Sequence, residues 1–171
     1  MSCGSFIAPP VSAHLDAGTP EVEFSEAMLW AGDLVVEPSP VRMSTVLGSC
    51  VSVCLFDPVR RFGGMNHYLV PRGGSTAIHG EWSTAQLIER MRQLGSVVGR
   101  LQAKIFGGGS PLKLVNETYA VGEANVTVAR SVLAAHGIPV VAERVGHGAG
   151  VRLFFENWTG VVWLKTHAES K

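Results

Sequence analysis

The sequence predicts an α/β fold in which a mixed β-sheet sandwich is flanked by helices, and three observations carry that prediction. The first half alternates apolar runs with Gly- and Pro-rich turns, the second half holds two stretches of helical periodicity, and the chain ends in a hairpin pattern. Strands and helices do not alternate regularly, so a doubly wound βαβ repeat is not expected. With 171 residues, 46% of them hydrophobic, the chain is sized for one domain with a substantial core.

Residues 1–21, rich in Gly, Pro, Ser and Ala and containing Cys3, read as a loosely ordered tail, and residues 22–171 as a single domain. Within that domain Glu26 to Val36 and Ser44 to Leu55 read as strands separated by the turn "EPSPVR", with a third strand around Met65 to Val70. From Ser83, the residues Ala85, Leu87, Ile88, Met91 and Leu94 recur at helical spacing, and Gly95 supplies a stop. "QAKIF" reads as a strand entering the glycine loop Gly107, Gly108, Gly109. A second helix is expected from Asn125, as its cap, to His136, closed by Gly137. "IPVVAERV" makes a further strand, and "VRLFFE" and "GVVWLK" pair around "NWTG". The four tryptophans read as core or edge packing.

Charge excludes several partners. Fourteen basic residues balance fourteen acidic ones with no Lys/Arg run, which removes the electrostatic footprint expected for nucleic acid or an anionic membrane. No apolar stretch reaches the roughly 20 residues of a membrane span, and no basic-then-apolar leader opens the chain, so a cytoplasmic protein without membrane insertion is expected. Three cysteines are an odd number and argue against a disulfide framework.

The chemistry concentrates in "STVLGSCVSVCLFDP", residues 44–58. Cys50 follows Gly48 and Ser49, where a flexible backbone leaves room for a carbonyl to approach the next side chain, and the amides there can form an oxyanion hole. A thiol needs a base at neutral pH, and His67 is the nearest histidine on an adjoining strand-like segment. Taken alone, a cysteine in an apolar strand is more often a packing residue, and Cys54 is read as one.

It is the joint pattern that changes this balance. "LGSCVSVCLFDP", then "GGMNHYLVP", then "AKIFGGGS" closely resembles the CheD family of chemoreceptor glutamine deamidases, over roughly residues 27–165. Cys50 and His67 stand seventeen positions apart, as that family's catalytic pair does. The resemblance implies a sandwich similar to the deamidase domain of cytotoxic necrotizing factor toxins, with chemoreceptors as protein substrates and, in some members, a CheC-type phosphatase as partner. It implies no metal and no organic cofactor. The family's third catalytic group is a threonine hydroxyl shortly before the cysteine; an ungapped reading puts Ser44 there, with Thr45 next. Neighbouring strand residues face opposite ways, so only one of the two hydroxyls can orient His67, and Ser44 is the reading adopted. Ser49 and the loop Gly107, Gly108 and Gly109 are read as the substrate side of the site. Ala124 and His147 depart from the family pattern, which usually has an arginine and a glycine at those places.

Competing readings are weaker. Cys50, Cys54 and His67 as zinc ligands fail because four strand residues separate the thiols by roughly 13 Å, too far for one metal. "IFGGGSPLK" lacks the Gly-Lys-Ser/Thr ending of a phosphate loop. "NWT" at 157–159 is better explained as a hairpin turn than as a glycosylation acceptor. Two functional alternatives share the residues: a docking regulator of a CheC-type phosphatase, and a cysteine hydrolase or transamidase acting on another protein amide.

Overall fold

The computed structural model describes residues 7–12, 22–110 and 117–166. In chain order the elements are β1 (Ile7–Ser12), β2 (Glu23–Met28), β3 (Leu34–Glu37), β4 (Val41–Leu47), β5 (Val51–Asp57), β6 (Phe62–Asn66), α1 (Gly80–Gln93), a 3-10 turn (Val98–Arg100), β7 (Gln102–Gly107), α2 (Glu117–Ala135), β8 (Val140–Val145), β9 (Val151–Glu156) and β10 (Val162–Thr166). They build two five-stranded sheets, ordered β1-β2-β4-β9-β10 and β3-β6-β5-β7-β8. Both sheets are mixed: β2 runs parallel to β4 and β7 parallel to β8, while the other neighbours are antiparallel.

Burial explains the layering. Along β4, Val41, Met43, Thr45 and Leu47 are buried while Arg42, Ser44 and Val46 are not, the two-residue alternation of a sheet with one face covered. Strand β5 is buried on both faces, which is why "VSVCLF" reads as a nearly unbroken apolar run. Val51, Val53 and Leu55 pack against Leu87, Ile88 and Met91 of α1 and Val126, Ala129 and Leu133 of α2. Cys54, on the other face, joins Met43, Leu47, Met65, Leu153 and Phe155 in the core between the sheets. The protein is therefore three layers deep, sheet on sheet with both helices on the second sheet.

The first helix and the terminal hairpin stand where the periodicity places them. Four other elements differ. Six residues expected in the tail form β1, paired antiparallel to β2. The stretch Glu26 to Val36 is two strands in different sheets, broken by a turn in which the Asp33 carboxylate accepts the Trp30 N–H at 2.8 Å. Trp30 is 63% exposed there, not packed. Ser44 to Leu55 likewise crosses from one sheet to the other at Gly48, Ser49 and Cys50. Finally, α2 begins at Glu117, so Asn125 is no cap but a fully buried residue inside the helix. Gly122 lets α2 lie against the glycine loop, because a Cβ there would crowd the Gly108 carbonyl at 2.5 Å.

Candidate active site

Cys50 sits at the crossover between the sheets, immediately before β5, and is half-buried. His67 follows β6 and is 6% exposed. Their next residues lock together: Val51 N–H donates to Tyr68 O at 3.1 Å and Tyr68 N–H to Val51 O at 3.0 Å. In this antiparallel register, continuous with Cys54 opposite Met65, Cys50 and His67 are diagonal neighbours on one face. Diagonal pairs lie roughly 7–8 Å apart at Cα, within the reach of an imidazole. The face is the one between the sheets, since Cys50 packs against the inter-sheet core.

Across that gap stands Thr45, not Ser44. The Thr45 hydroxyl lies 2.8 Å from His67 Nδ1 and 2.8 Å from Leu29 O, and Thr45 is fully buried. Ser44 points to the outer face of its sheet, alongside Arg42, Arg152 and Phe154. The reading of Ser44 as the orienting hydroxyl is corrected accordingly: the inner positions of β4 are the odd ones, and Thr45 is among them. A threonine hydroxyl carries one proton, and the Leu29 carbonyl can only accept, so the lone pair faces Nδ1 and Nδ1 carries the hydrogen. Nε2 is then the basic nitrogen, and it is buried with no hydrogen-bond partner among the described residues. The same turn grips the histidine's main chain, with His67 N–H donating to Asp33 O at 3.0 Å and Gly32 N–H to His67 O at 2.8 Å. Below it, Asn66 accepts Val53 N–H at 2.8 Å and donates to Ser83 Oγ at 3.1 Å, anchoring the end of β6.

The glycine loop holds Cys50 from behind. Gly108 N–H donates to Cys50 O and Gly109 N–H to Gly48 O, both at 2.8 Å. All three glycines are buried, and the Gly108 and Gly109 amides brace the Cys50 turn. At Gly107, with φ of 103°, a Cβ would collide with the Cys50 carbonyl oxygen. Ser49 is half-buried beside Cys50, and its carbonyl accepts from Asn125. His147 borders the loop's far end, its carbonyl accepting Ser110 N–H at 2.9 Å. Leu29, Asp33 and Asn125 escaped the sequence reading; the Gly32-Asp33 turn signal was the cue for the first two.

Burial pushes the Cys50 thiol up from its ordinary value, against a smaller pull downward from the Gly48 and Cys50 amides. Burial also pushes the His67 imidazole down, opposed by the Leu29 carbonyl and the Asp33 charge. Both shifts favour the uncharged forms of thiol and imidazole. Cys54 is fully buried, its thiol driven far up by loss of solvation, and is chemically inert. Among the described residues, no group of three His, Cys, Asp or Glu side chains could hold a metal ion.

A pH series tests this electrostatic picture. Alkylation of Cys50 by iodoacetamide is expected to keep rising with pH beyond 9.0, the ordinary thiol value, and a plateau near neutrality would show a preformed thiolate. Stability carries the complementary sign: the folded imidazole resists protonation, so below 6.5 the unfolded chain binds the extra proton and the folded state is disfavoured. Urea titrations at falling pH should show His67→Gln losing less stability than the wild type across that window.

The family model described as CheD chemotactic sensory transduction matches residues 71–166. The chain is 38% identical over 144 residues to a probable chemoreceptor glutamine deamidase CheD 1 of Anaeromyxobacter dehalogenans, covering 82% of this chain and 84% of the relative. It is 39% identical over 141 residues to a probable chemoreceptor glutamine deamidase CheD of Rhodospirillum rubrum, covering 81% and 80%. A similarly named protein of Sulfurimonas denitrificans is 34% identical over 149 residues, covering 84% and 96%. A contiguous match over 82% of the chain leaves too few residues outside it to miss Cys50 or His67. Among solved structures, Bacillus licheniformis hypothetical protein YfiH overlaps 61% of this chain and 49% of its own at 17% identity and a TM-score of 0.42, too loose a likeness to argue from. From the family match and the relatives' identity over most of its length, the chain belongs to the CheD family of chemotactic sensory transduction.

Proposed function

We propose that this chain hydrolyses glutamine side chains of chemoreceptors to glutamate, the activity for which its relatives are named, with Cys50 as nucleophile and His67 as proton carrier. The observation that carries the reading is the Thr45–His67 hydrogen bond, which leaves Nε2, without a partner among the described residues, on the face that Cys50 occupies. Nε2 accepts the thiol proton as sulfur attacks the carboxamide carbon, forming a C–S bond and a tetrahedral oxyanion. The imidazolium returns that proton to the nitrogen as the C–N bond breaks, and ammonia leaves a thioester. Water, deprotonated by Nε2, adds to the thioester carbon; the C–S bond breaks, and Cys50 recovers its proton. The side chain of the receptor is left as glutamate.

Mass spectrometry of chemoreceptor cytoplasmic fragments incubated with the protein tests this directly. Glutamine-to-glutamate conversion that is lost when Cys50 is alkylated or replaced supports it, and fragments left unmodified by the folded protein with its Cys50 thiol free overturn it. Thr45 and Ser44 give a second test. Thr45→Ala should slow conversion by about 10- to 100-fold through a misplaced imidazole, whereas Ser44→Ala should leave it near the wild-type rate. The reverse ranking, with both variants folded, would refute the role given to Thr45.

Three finer readings accompany the proposal. The two sheets with helices on one side are taken as the sandwich of the deamidase domain of cytotoxic necrotizing factor toxins, tested by superposition on such a domain. A cytoplasmic site of action follows from receptor cytoplasmic segments being the substrate; no helix among the described residues is long and apolar enough to cross a membrane. A CheC-type phosphatase as partner rests on the family resemblance and is tested by co-purification.

A further inference from the structure

Asn125 is an expensive residue where it stands. Asparagine competes with helical backbone, and a fully buried amide must satisfy its donors and acceptor within the protein. Its Nδ2 donates to Ser49 O at 3.1 Å and to Leu69 O at 2.8 Å, and its main-chain oxygen accepts the Tyr68 hydroxyl at 2.6 Å. Oδ1 is buried with no partner among the described residues. The side chain is thus oriented by what it gives to two carbonyls, one preceding the nucleophile and one following the base.

The Ser49 contact has a geometric consequence at the nucleophile. A trans peptide is planar, with its C=O and N–H pointing in opposite directions. Because the Ser49 carbonyl is turned toward α2, the Cys50 N–H is turned away from α2, toward the space between the sheets where Cys50 packs. Nearby amides are already engaged: Val51 N–H on Tyr68 O, Gly108 N–H on Cys50 O, Gly109 N–H on Gly48 O. The Cys50 N–H has no acceptor in the main chain among the described residues.

We propose that Asn125 is a positioning residue that builds the oxyanion hole, holding the Ser49–Cys50 peptide so that the Cys50 N–H faces the oxygen of the tetrahedral intermediate. The inference rests on the acyl-transfer reading given above and names the donor that reading leaves unassigned. Its balance is simple: as the C–S bond forms, the electron pair of the attacked C=O moves onto oxygen, and the aimed N–H stabilises that charge until the C=O re-forms and the leaving group departs.

Two reactions of one thiol separate this role from a merely structural one. Displacement of iodide from iodoacetamide builds no oxyanion, whereas acylation by p-nitrophenyl acetate does. Both rates are measured at Cys50 on the full chain, with Cys50→Ala as background. In Asn125→Ala, acylation should fall by about 10²–10³-fold, the usual cost of losing an oxyanion donor, while alkylation, compared on the fully ionised thiol at high pH, should stay near the wild-type level. In deamidation, kcat should fall and KM hold. Asn125→Ser retains a single donor and should recover part of the acylation rate, and it stands in if Asn125→Ala does not fold. Parallel loss of acylation and alkylation would reduce Asn125 to a structural clamp and overturn the proposal, as would unchanged acylation in either variant or a wild type that alkylates but is not acylated. A protein that acylates normally yet converts no receptor glutamine would sink the substrate reading alone.

Discussion

Cys50→Ala is expected to abolish conversion of receptor glutamine while leaving a folded protein. Without sulfur there is no thioester, and water cannot take the same position under the aimed Cys50 N–H. The side chain is half-buried at the end of a strand, not locked in the core, so its truncation should cost about 1 kcal/mol of stability. The measurement is conversion by mass spectrometry paired with a thermal melt. An active Cys50→Ala would defeat the nucleophile assignment and favour the docking-regulator alternative. Cys54 does not rescue the variant, because it is sealed between the sheets four residues farther along the same strand face.

His67→Ala is expected to be nearly as severe. In the proposed mechanism the ring serves two proton transfers, out of the thiol and into the departing nitrogen, and each such transfer is typically worth about 10²–10⁴ in rate. The loss should exceed that in Thr45→Ala, which leaves the ring present but unaimed. Removing a buried imidazole also opens a cavity between the sheets, so a drop in stability alone proves nothing. His67→Gln answers that objection: its amide can still donate to the Thr45 hydroxyl and keep the sheets linked, yet it is no base at neutral pH. It should melt closer to the wild type than His67→Ala and be just as inactive. Substantial turnover in His67→Gln would remove the imidazole from the mechanism.

How much of this was legible beforehand depends on which physical signal each residue carried. That Cys50 and His67 would be neighbours was legible from two strand-like segments joined by a short connection, and the register places them on one face. The choice between Ser44 and Thr45 was decidable, but from the neighbours: Val41, Met43 and Leu47 mark the inner face of β4, and Thr45 shares their parity. The ungapped motif reading used the alternation without asking which parity the apolar neighbours mark. The glycine loop was legible as a site element, yet not in its direction, since glycines that receive a substrate and glycines that admit a neighbouring carbonyl look alike in sequence. Asn125 was hidden because asparagine is a good cap and a poor helix former. Only the tertiary contacts of Ser49 and Leu69 explain it inside α2. The crossovers at 29–33 and 48–50 were missed for a related reason: both flanks are strand-like, and a change of sheet leaves little trace in composition.

The order of synthesis follows from where the supports of the site lie along the chain. Cys50 and His67 emerge early, but β4, which carries Thr45, is held on one side by β9, Val151–Glu156, and the Cys50 turn is braced by Asn125. A nascent chain released from the ribosome tunnel only as far as His67 holds the reactive pair without the strand that seats Thr45 or the helix that aims the peptide. Competence therefore waits for β9 to emerge, and a chain halted before Val151 carries the thiol without the strand that seats Thr45.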